Sequence, residues 1–207
     1  PFLSSQKAEF GLGIGKLEDR YFQSSIIDFD NDMNDQSTYT IFGGSVALEG
    51  NTLNSRMFAT SGRKERLSAN VYTGTERYKS GIGTPDAYNG QYKYVQSWLQ
   101  LSYEFEKYHP VSDKFVIGSY LHAYYSSRNF SHNYTATLMQ AGDFSPTPHS
   151  QITYNEAFRA NQFVGLGIRP IFLLSSILQA RGEFYGFVPI FPIKRDDLSQ
   201  ATYGKVF

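Results

Sequence analysis

The chain has 207 residues, with 19 basic and 19 acidic side chains, no cysteine, and only 18% charged residues. The balanced charge argues against nucleic acid as a partner, and the lack of cysteine excludes disulfides, thiolate metal sites and a thiol nucleophile. Soluble domains average about 25% charged residues, so the surface of this protein is short of charge. The 16% aromatic residues and 18 glycines favour strands over helices.

Apolar residues recur at every second position in seven runs, which is the period of a β-strand with one apolar face. In the first four runs this face carries Phe10, Leu12 and Ile14; Phe42, Val46 and Leu48; Leu67, Ala69 and Val71; and Leu99, Leu101, Tyr103 and Phe105. In the last three it carries Ile117, Leu121 and Ala123; Phe158, Ala160, Val164, Leu166 and Ile168; and Leu178, Ala180, Phe184 and Val188. We therefore predict an all-β protein with strands of about 9 to 11 residues, the length that crosses a bilayer when tilted.

The connections between the runs alternate in length. The stretch from Ser126 to Glu156 is very long, whereas "KYHPVSDK" and "RPIFLLSS" are short. Outer-membrane barrels have short turns on the periplasmic side and long loops on the outer side. The sequence therefore predicts an antiparallel up-and-down transmembrane β-barrel in a bacterial outer membrane. The chain accounts for about 7–8 strands of a larger barrel, and the hairpin from Phe42 to Thr73 turns in the periplasm.

A soluble β-sandwich or lipocalin-like barrel is the alternative, because its strands alternate in the same way. The faces opposite the apolar ones, however, are rich in Gly, Ser, Asn, Gln and charged residues, and such faces do not suit a dry core. The apolar faces must also contact some environment. A barrel with lipid outside and water inside gives both faces a suitable one. We therefore expect membrane lipids as partners, and the interpretation as a membrane barrel is favoured.

Three segments resemble the carboxy-terminal barrel of the patatin-like phospholipases of Gram-negative bacteria: "EGNTLNSRMFATSG", "AGDFSPTPHSQITYNEAFRANQFVGLG" and "LQARGEFYGFVPI". The resemblance implies that residues 1–207 are a single partial outer-membrane barrel domain. It also implies a covalently attached lipase domain and a periplasmic module upstream, and final strands beyond the chain. The opening "PFLSSQK", without Met, agrees with a piece of a longer protein. A homo-oligomer that closes between chains is a further partner to consider.

Three functions compete at this point. The barrel could anchor or translocate an attached lipase, could be an insertase-type barrel that admits other strands, or could be a passive porin or structural barrel. The resemblance favours the first. An upstream lipase domain would decide for it, tandem periplasmic modules would favour the second, and ion conductance without either would favour the third.

The chain itself is not expected to be an enzyme, and no catalytic, cofactor or metal residue is predicted. A patatin lipase needs a Ser in a G-x-S-x-G elbow and an Asp in an Asp-Gly context. The nearest match to the elbow, "GGSVA" at Gly43 to Ala47, lies inside a predicted strand, and no Asp-Gly pair occurs.

One charged constellation is predicted inside the barrel. The resemblance implies that a long outer loop folds back into the barrel and presents an Arg from a Val-Arg-Gly-aromatic motif to an acid on the next strand. Here the corresponding "EAFRANQF" has Ala160 for Gly and Asn161 for the aromatic residue. The predicted lumen latch pairs Arg159 with Glu183, and Arg181 and Gln179 share the same face. The alternative is a generic charged wall.

Overall fold

A computed structural model describes residues 6–22, 33–81, 90–129, 134–175 and 178–193, together with the backbone of residues 205 and 206. The strands are β1 (Gln6–Tyr21), β2 (Asp35–Asn51), β3 (Gly62–Lys79), β4 (Gln91–Ser112), β5 (Phe115–Ser126), β6 (Gly142–Asp143), β7 (Arg159–Ala160), β8 (Gln162–Leu173), β9 (Gln179–Arg181), β10 (Phe184–Pro189) and β11 (Lys205–Val206). Helices α1 (Tyr134–Gln140) and α2 (Pro148–Gln151) and a 3₁₀ turn (Glu156–Phe158) lie between β5 and β8. None of the helices within these ranges could span a bilayer.

Eight strands form one antiparallel up-and-down sheet in the order β1-β2-β3-β4-β5-β8-β10-β11, and β9 pairs with β8. The short strands β6 and β7 pair with each other. The predicted all-β, antiparallel, up-and-down arrangement is thus confirmed. The predicted closure into a barrel is not seen: over the described ranges the sheet is open, with β1 at one edge and β11 at the other.

The hairpin predicted between Phe42 and Thr73 is formed by β2 and β3, which place these two residues opposite each other. In the link between the strands, the Asn54 side-chain oxygen accepts hydrogen bonds from the backbone N–H groups of Thr60 and Ser61, at 3.0 and 3.2 Å. Gly62 has a φ of +93° and lies so close to the backbone of the link that a side chain would overlap it. Turn-forming residues therefore set the end of this hairpin.

The first four strands are longer than predicted, with 16, 17, 18 and 22 residues instead of about 9 to 11. Pairing continues beyond the alternating apolar part, as far as Tyr21 opposite Asp35 at one end and Asn51 opposite Lys64 at the other. Backbone groups make the ladder of hydrogen bonds whatever the side chains are. The apolar alternation therefore marked only the central part of each strand.

The predicted boundaries of the last two runs are wrong. Phe158 and Ala160 do not belong to the sixth strand, because β8 begins at Gln162. The seventh run is divided into β9 and β10. The division lies opposite Pro170, which has no N–H to donate to the ladder and instead accepts a hydrogen bond from the Gly182 N–H at 2.9 Å.

The sheet has two different faces. We call the face that packs against the β5–β8 connection (described residues 127–129 and 134–161) the inner face, and the opposite one the outer face. The cross-strand registers place the predicted apolar positions within β1 to β5 and β8 to β10 on the outer face. The strand-by-strand assignment of the apolar positions is therefore confirmed for these strands.

The inner face carries a packed aromatic cluster, contrary to the expectation that it would not suit a dry core. Phe144 of the β5–β8 connection is buried together with Ala160, Phe163, Tyr185 and Phe187. Its ring stacks on that of Phe187 at a centroid distance of 5.7 Å. The glycines counted as polar-face residues leave room for rings that come from another part of the chain, which alternation within a strand cannot reveal.

Gly165 provides the space for this cluster, because a Cβ atom there would overlap the Phe144 ring. We expect Gly165→Ala to lower the free energy of unfolding by about 1–3 kcal/mol, the usual cost of overpacking a core. Urea unfolding of the refolded chain in detergent micelles, followed by the fluorescence of the single tryptophan Trp98, measures this loss. Gly13→Ala is the control, since a Cβ at Gly13 would meet nothing within 4 Å. Equal losses in the two variants would contradict the packing role of Gly165.

Candidate functional site

A cluster of charged and tyrosine side chains lies on the inner face where β4, β8 and β9 approach the β2–β3 link. Arg169 of β8 lies opposite Gly118, which in turn lies opposite Tyr108 of β4, so the three share one row of the sheet. Glu106 comes two residues before Tyr108 and therefore points to the same face. The cluster also lines a cavity of about 710 Å³ between the β2–β3 link and the β5–β8 connection.

Arg169 is at the centre of this cluster and is only 6% exposed. Its Nη1 donates to a Glu106 carboxylate oxygen at 2.5 Å, and its Nε donates to the Tyr185 hydroxyl at 2.7 Å. Its Nη2 donates to the backbone carbonyl of Pro146, at 3.1 Å. One buried guanidinium thus joins a strand carboxylate to the β5–β8 connection, and the ion pair and hydrogen bonds offset the cost of burying the charge.

Arg181 makes the corresponding link to the other connection. Its Nη2 donates to the carbonyl of Ala59 at 2.8 Å and to the Tyr108 hydroxyl at 2.9 Å. Its Nε lies 3.5 Å from a carboxylate oxygen of Glu183. Gln179 donates weakly to the carbonyl of Phe58, at 3.5 Å. Three of the four residues of the predicted latch therefore lie together and hold the β2–β3 link against the inner face.

Two tyrosine hydroxyls complete the network. Tyr108 donates to Glu106 and accepts from both Arg169 and Arg181. Tyr185 donates to Glu183 at 3.0 Å and accepts from Arg169. Two guanidinium groups are thus balanced by two carboxylates, and the network carries no net charge.

Arg159, the fourth residue of the predicted latch, lies elsewhere. It belongs to β7, not to a strand of the large sheet, and its Nη1 donates to the carbonyls of Met139 and Ala141 at 2.9 and 3.0 Å. In the described part of the chain it makes no contact with Glu183. Alternation within a long strand does not apply to Arg159, because β8 begins only after it. That a latch holds the connection inside a barrel stays a prediction.

The Arg159 guanidinium lies over the ring of Tyr154, 4.7 Å from its centroid. Burial raises the pKa of the Tyr154 hydroxyl, although the neighbouring positive charge of Arg159 opposes the shift. The hydroxyl therefore stays neutral at physiological pH. Within the β5–β8 connection, Arg159 links the backbone carbonyls of Met139 and Ala141 to the Tyr154 ring.

Sequence reasoning missed Arg169, Glu106 and Tyr108. A signal for Arg169 was present: the inner-face positions Gly165 and Gly167 lead directly to it when the alternation is continued by one more step. Glu106 likewise continues the inner face of the fourth run. What could not be predicted was their pairing, since the two residues are 63 positions apart and meet only through the strand order.

The arrangement offers little catalytic chemistry. Ser102 Oγ lies 3.1 Å from His122 Nε2, and a Glu104 oxygen lies 3.9 Å from the same nitrogen. A Ser-His-acid triad needs the acid on the opposite ring nitrogen, so this is not a triad. No group of three or more acidic or histidine side chains within the described ranges could hold a metal ion. "GGSVA" lies within β2 and forms no elbow.

No family model matches the chain, and none of the curated proteins or solved structures compared with it matches either.

The buried network predicts a specific loss of stability. We expect Arg169→Met to lower the free energy of unfolding by about 3 kcal/mol, because it leaves the partly buried Glu106 carboxylate without its guanidinium partner. Urea titration in detergent micelles measures the loss. The second substitution Glu106→Gln should restore part of it, since no uncompensated charge then remains.

Arg66→Met is the matched control for this experiment. Arg66 pairs with Glu9 and Glu49 at 2.9 and 2.8 Å, but about a third of its side chain is exposed. Exposed ion pairs contribute little, so the loss should be much smaller. A loss equal to that of Arg169→Met would mean that the buried network contributes no more to the free energy of unfolding than an exposed ion pair does.

Proposed function

We propose that this chain is part of a β-barrel that spans a bacterial outer membrane, and that the barrel anchors or translocates an attached patatin-like lipase domain. The observation that carries the membrane part is the apolar outer face of the sheet. On β1, the side chains of Phe10, Leu12 and Ile14 are 78%, 86% and 81% exposed. Large exposed apolar surfaces are rare on soluble monomers and mark membrane or protein contacts.

The apolar surface continues from strand to strand. On the outer face of the other strands, exposed large apolar residues include Phe42, Val46, Leu48, Leu67, Val71, Val95, Leu101, Leu166, Ile168, Phe184 and Val188. Together these side chains form a band across the sheet, as lipid-facing residues do in a transmembrane barrel. A single hydrophobic docking patch would not extend over so many strands.

The height of the band also fits a bilayer. On β4 the outer-face residues between Lys93 and Lys107 run from Val95 to Phe105, a distance of about 34 Å along an extended strand. At the strand tilt of outer-membrane barrels this is about 25 Å across the membrane, which is the height of their apolar band. The charged residues at both ends would lie at the two membrane surfaces.

The inner face favours an anchor over a passive porin. The β5–β8 connection packs against it through Phe144 and through the hydrogen bond between Arg169 and the Pro146 carbonyl. The β2–β3 link is held there too, by Arg181. Two connections on the inner face leave less room for a wide aqueous channel beside these strands.

The lipase part of the proposal rests on the resemblance of three segments to the patatin-like phospholipase barrels. This chain has neither the Ser elbow nor the Asp-Gly pair of those lipases. In the proposed protein the chemistry would therefore come from the attached domain, and the barrel would hold that domain at the membrane or pass it through.

The absence of cysteine makes the membrane proposal directly testable. We expect a nitroxide label on Leu101→Cys, an outer-face position, to be relaxed strongly by oxygen and weakly by an aqueous nickel chelate after insertion into lipid vesicles. A label on its neighbour Gln100→Cys, on the inner face, should show the reverse preference. Electron paramagnetic resonance measures both effects. If the nickel chelate reaches position 101 as readily as position 100, the outer face does not contact lipid.

A separate experiment tests the attached lipase. We expect antibodies against this chain to detect, in outer membranes of the source bacterium, a polypeptide well above 23.5 kDa that a serine-reactive phosphonate labels. Mass spectrometry of the immunoprecipitated polypeptide gives its mass and the labelled residue. An unlabelled polypeptide near 23.5 kDa would remove the lipase from the proposal while leaving the barrel untouched.

A further inference from the structure

The outer face carries an excess of cations at the end of the sheet where the β1–β2 and β3–β4 links lie. Six charged side chains lie on this part of the face: Lys16, Glu18, Arg20, Arg77, Lys79 and Lys93. Only Glu18 is acidic, and it is paired with Arg20 at 2.6 Å. Four cations therefore remain above the apolar band.

Arg77 of β3 lies directly opposite Lys93 of β4. Like charges in directly opposed positions repel each other and destabilise a sheet. Both side chains are exposed, and none of the ion pairs formed within the described ranges includes Arg77, Lys79 or Lys93. An anion from outside the protein would relieve this repulsion.

The pair borders a groove of about 360 Å³ on the surface. The outer-face residues that line the groove are Gln36, Thr38, Arg77, Lys79, Gln91 and Lys93. No carboxylate is among the described residues of the lining, and the amide and hydroxyl groups can donate hydrogen bonds to an anion. Charge and hydrogen-bond donors thus converge on a space large enough for a small anionic group.

The anion that fits this position is one attached to an apolar chain. Within three outer-face rows of Arg77 and Lys93 the face becomes apolar, with Val95, Phe42 and Val71 more than half exposed. Long cationic side chains at such a boundary reach toward the membrane surface while their stems cover the apolar face. A headgroup phosphate would meet the cations while its acyl chains lie along the apolar band.

We propose that the groove between Arg77 and Lys93 binds the phosphate of a lipid headgroup in the leaflet on the long-connection side of the membrane. This proposal rests on the membrane-spanning barrel proposed above. Each basic residue near an anionic membrane surface strengthens binding several-fold, and the two opposed cations would act on the same phosphate.

The opposite end of the same two strands provides a matched control. There Arg63 of β3 lies directly opposite Lys107 of β4, again on the outer face. Glu65, however, is the next outer-face residue of β3 and lines the same cavity as Arg63. An acid therefore offsets part of the cationic charge at this end, and a phosphate gains less there.

The test titrates the full chain, refolded in micelles of an uncharged detergent, with phosphatidic acid and with diacylglycerol of the same acyl chains. Native mass spectrometry counts the bound lipids and gives the dissociation constants. We expect phosphatidic acid to bind at least about tenfold more tightly than diacylglycerol, and added salt to weaken its binding. The double variant Arg77→Gln/Lys93→Gln should lose about tenfold in affinity for phosphatidic acid, whereas Arg63→Gln/Lys107→Gln should change it by less than about twofold.

Inorganic phosphate separates a lipid headgroup from a free anion. We expect it to compete only weakly, since it lacks the acyl chains that lie on the apolar band. Binding of inorganic phosphate as tightly as phosphatidic acid would overturn the assignment to lipid. An unchanged affinity in Arg77→Gln/Lys93→Gln, or an equal loss in the control, would overturn the assignment to this groove.

Folding and insertion are monitored separately, by circular dichroism and by the accessibility of the label at position 101. Both double variants should match the parent chain, because Arg63, Arg77 and Lys93 are exposed and Lys107 is only half-buried. If the parent chain inserts but the groove variant binds lipid normally, only this inference fails. If the parent chain does not insert, the proposed barrel fails as well.

Discussion

Each long strand of this protein presents its side chains alternately to two faces, and the continuous antiparallel pairing from β1 to β10 keeps those faces separate over the whole sheet. A shift of one residue in any register would move a whole row of side chains to the wrong face. The apolar outer band, the inner aromatic cluster and the buried arginine network all depend on these registers. The opposition of Arg77 and Lys93 depends on them too.

The inner face combines two kinds of contact. Near Gly165 the β5–β8 connection packs on the sheet mainly through aromatic rings. Nearer the β2–β3 link the same connection is held by the guanidinium of Arg169. Burying that charge costs free energy unless it is paired and hydrogen-bonded, and Glu106, Tyr185 and the Pro146 carbonyl give each of its three nitrogens an acceptor. The two contacts together give the long connection one defined position.

Much of the secondary structure could be predicted from the sequence, and much of the candidate site could not. The face of each residue in a run such as Leu99 to Phe105 was predicted correctly, because alternation is a local property with a period of two residues. The ends of strands were not, since polar residues also pair. The assignment of Arg159 to a strand wall was wrong for a related reason: it lies just before β8 begins.

The sequence alone determined the fold class, the antiparallel order and the apolar face, because these follow from composition, from alternation and from turn-forming residues. Only the tertiary structure decided which charges meet. Arg169 and Glu106 are brought together by the pairing of β4 with β5 and of β5 with β8, and Arg181 meets Ala59 across more than a hundred residues. Such contacts depend on the position of whole strands, and no local pattern specifies them.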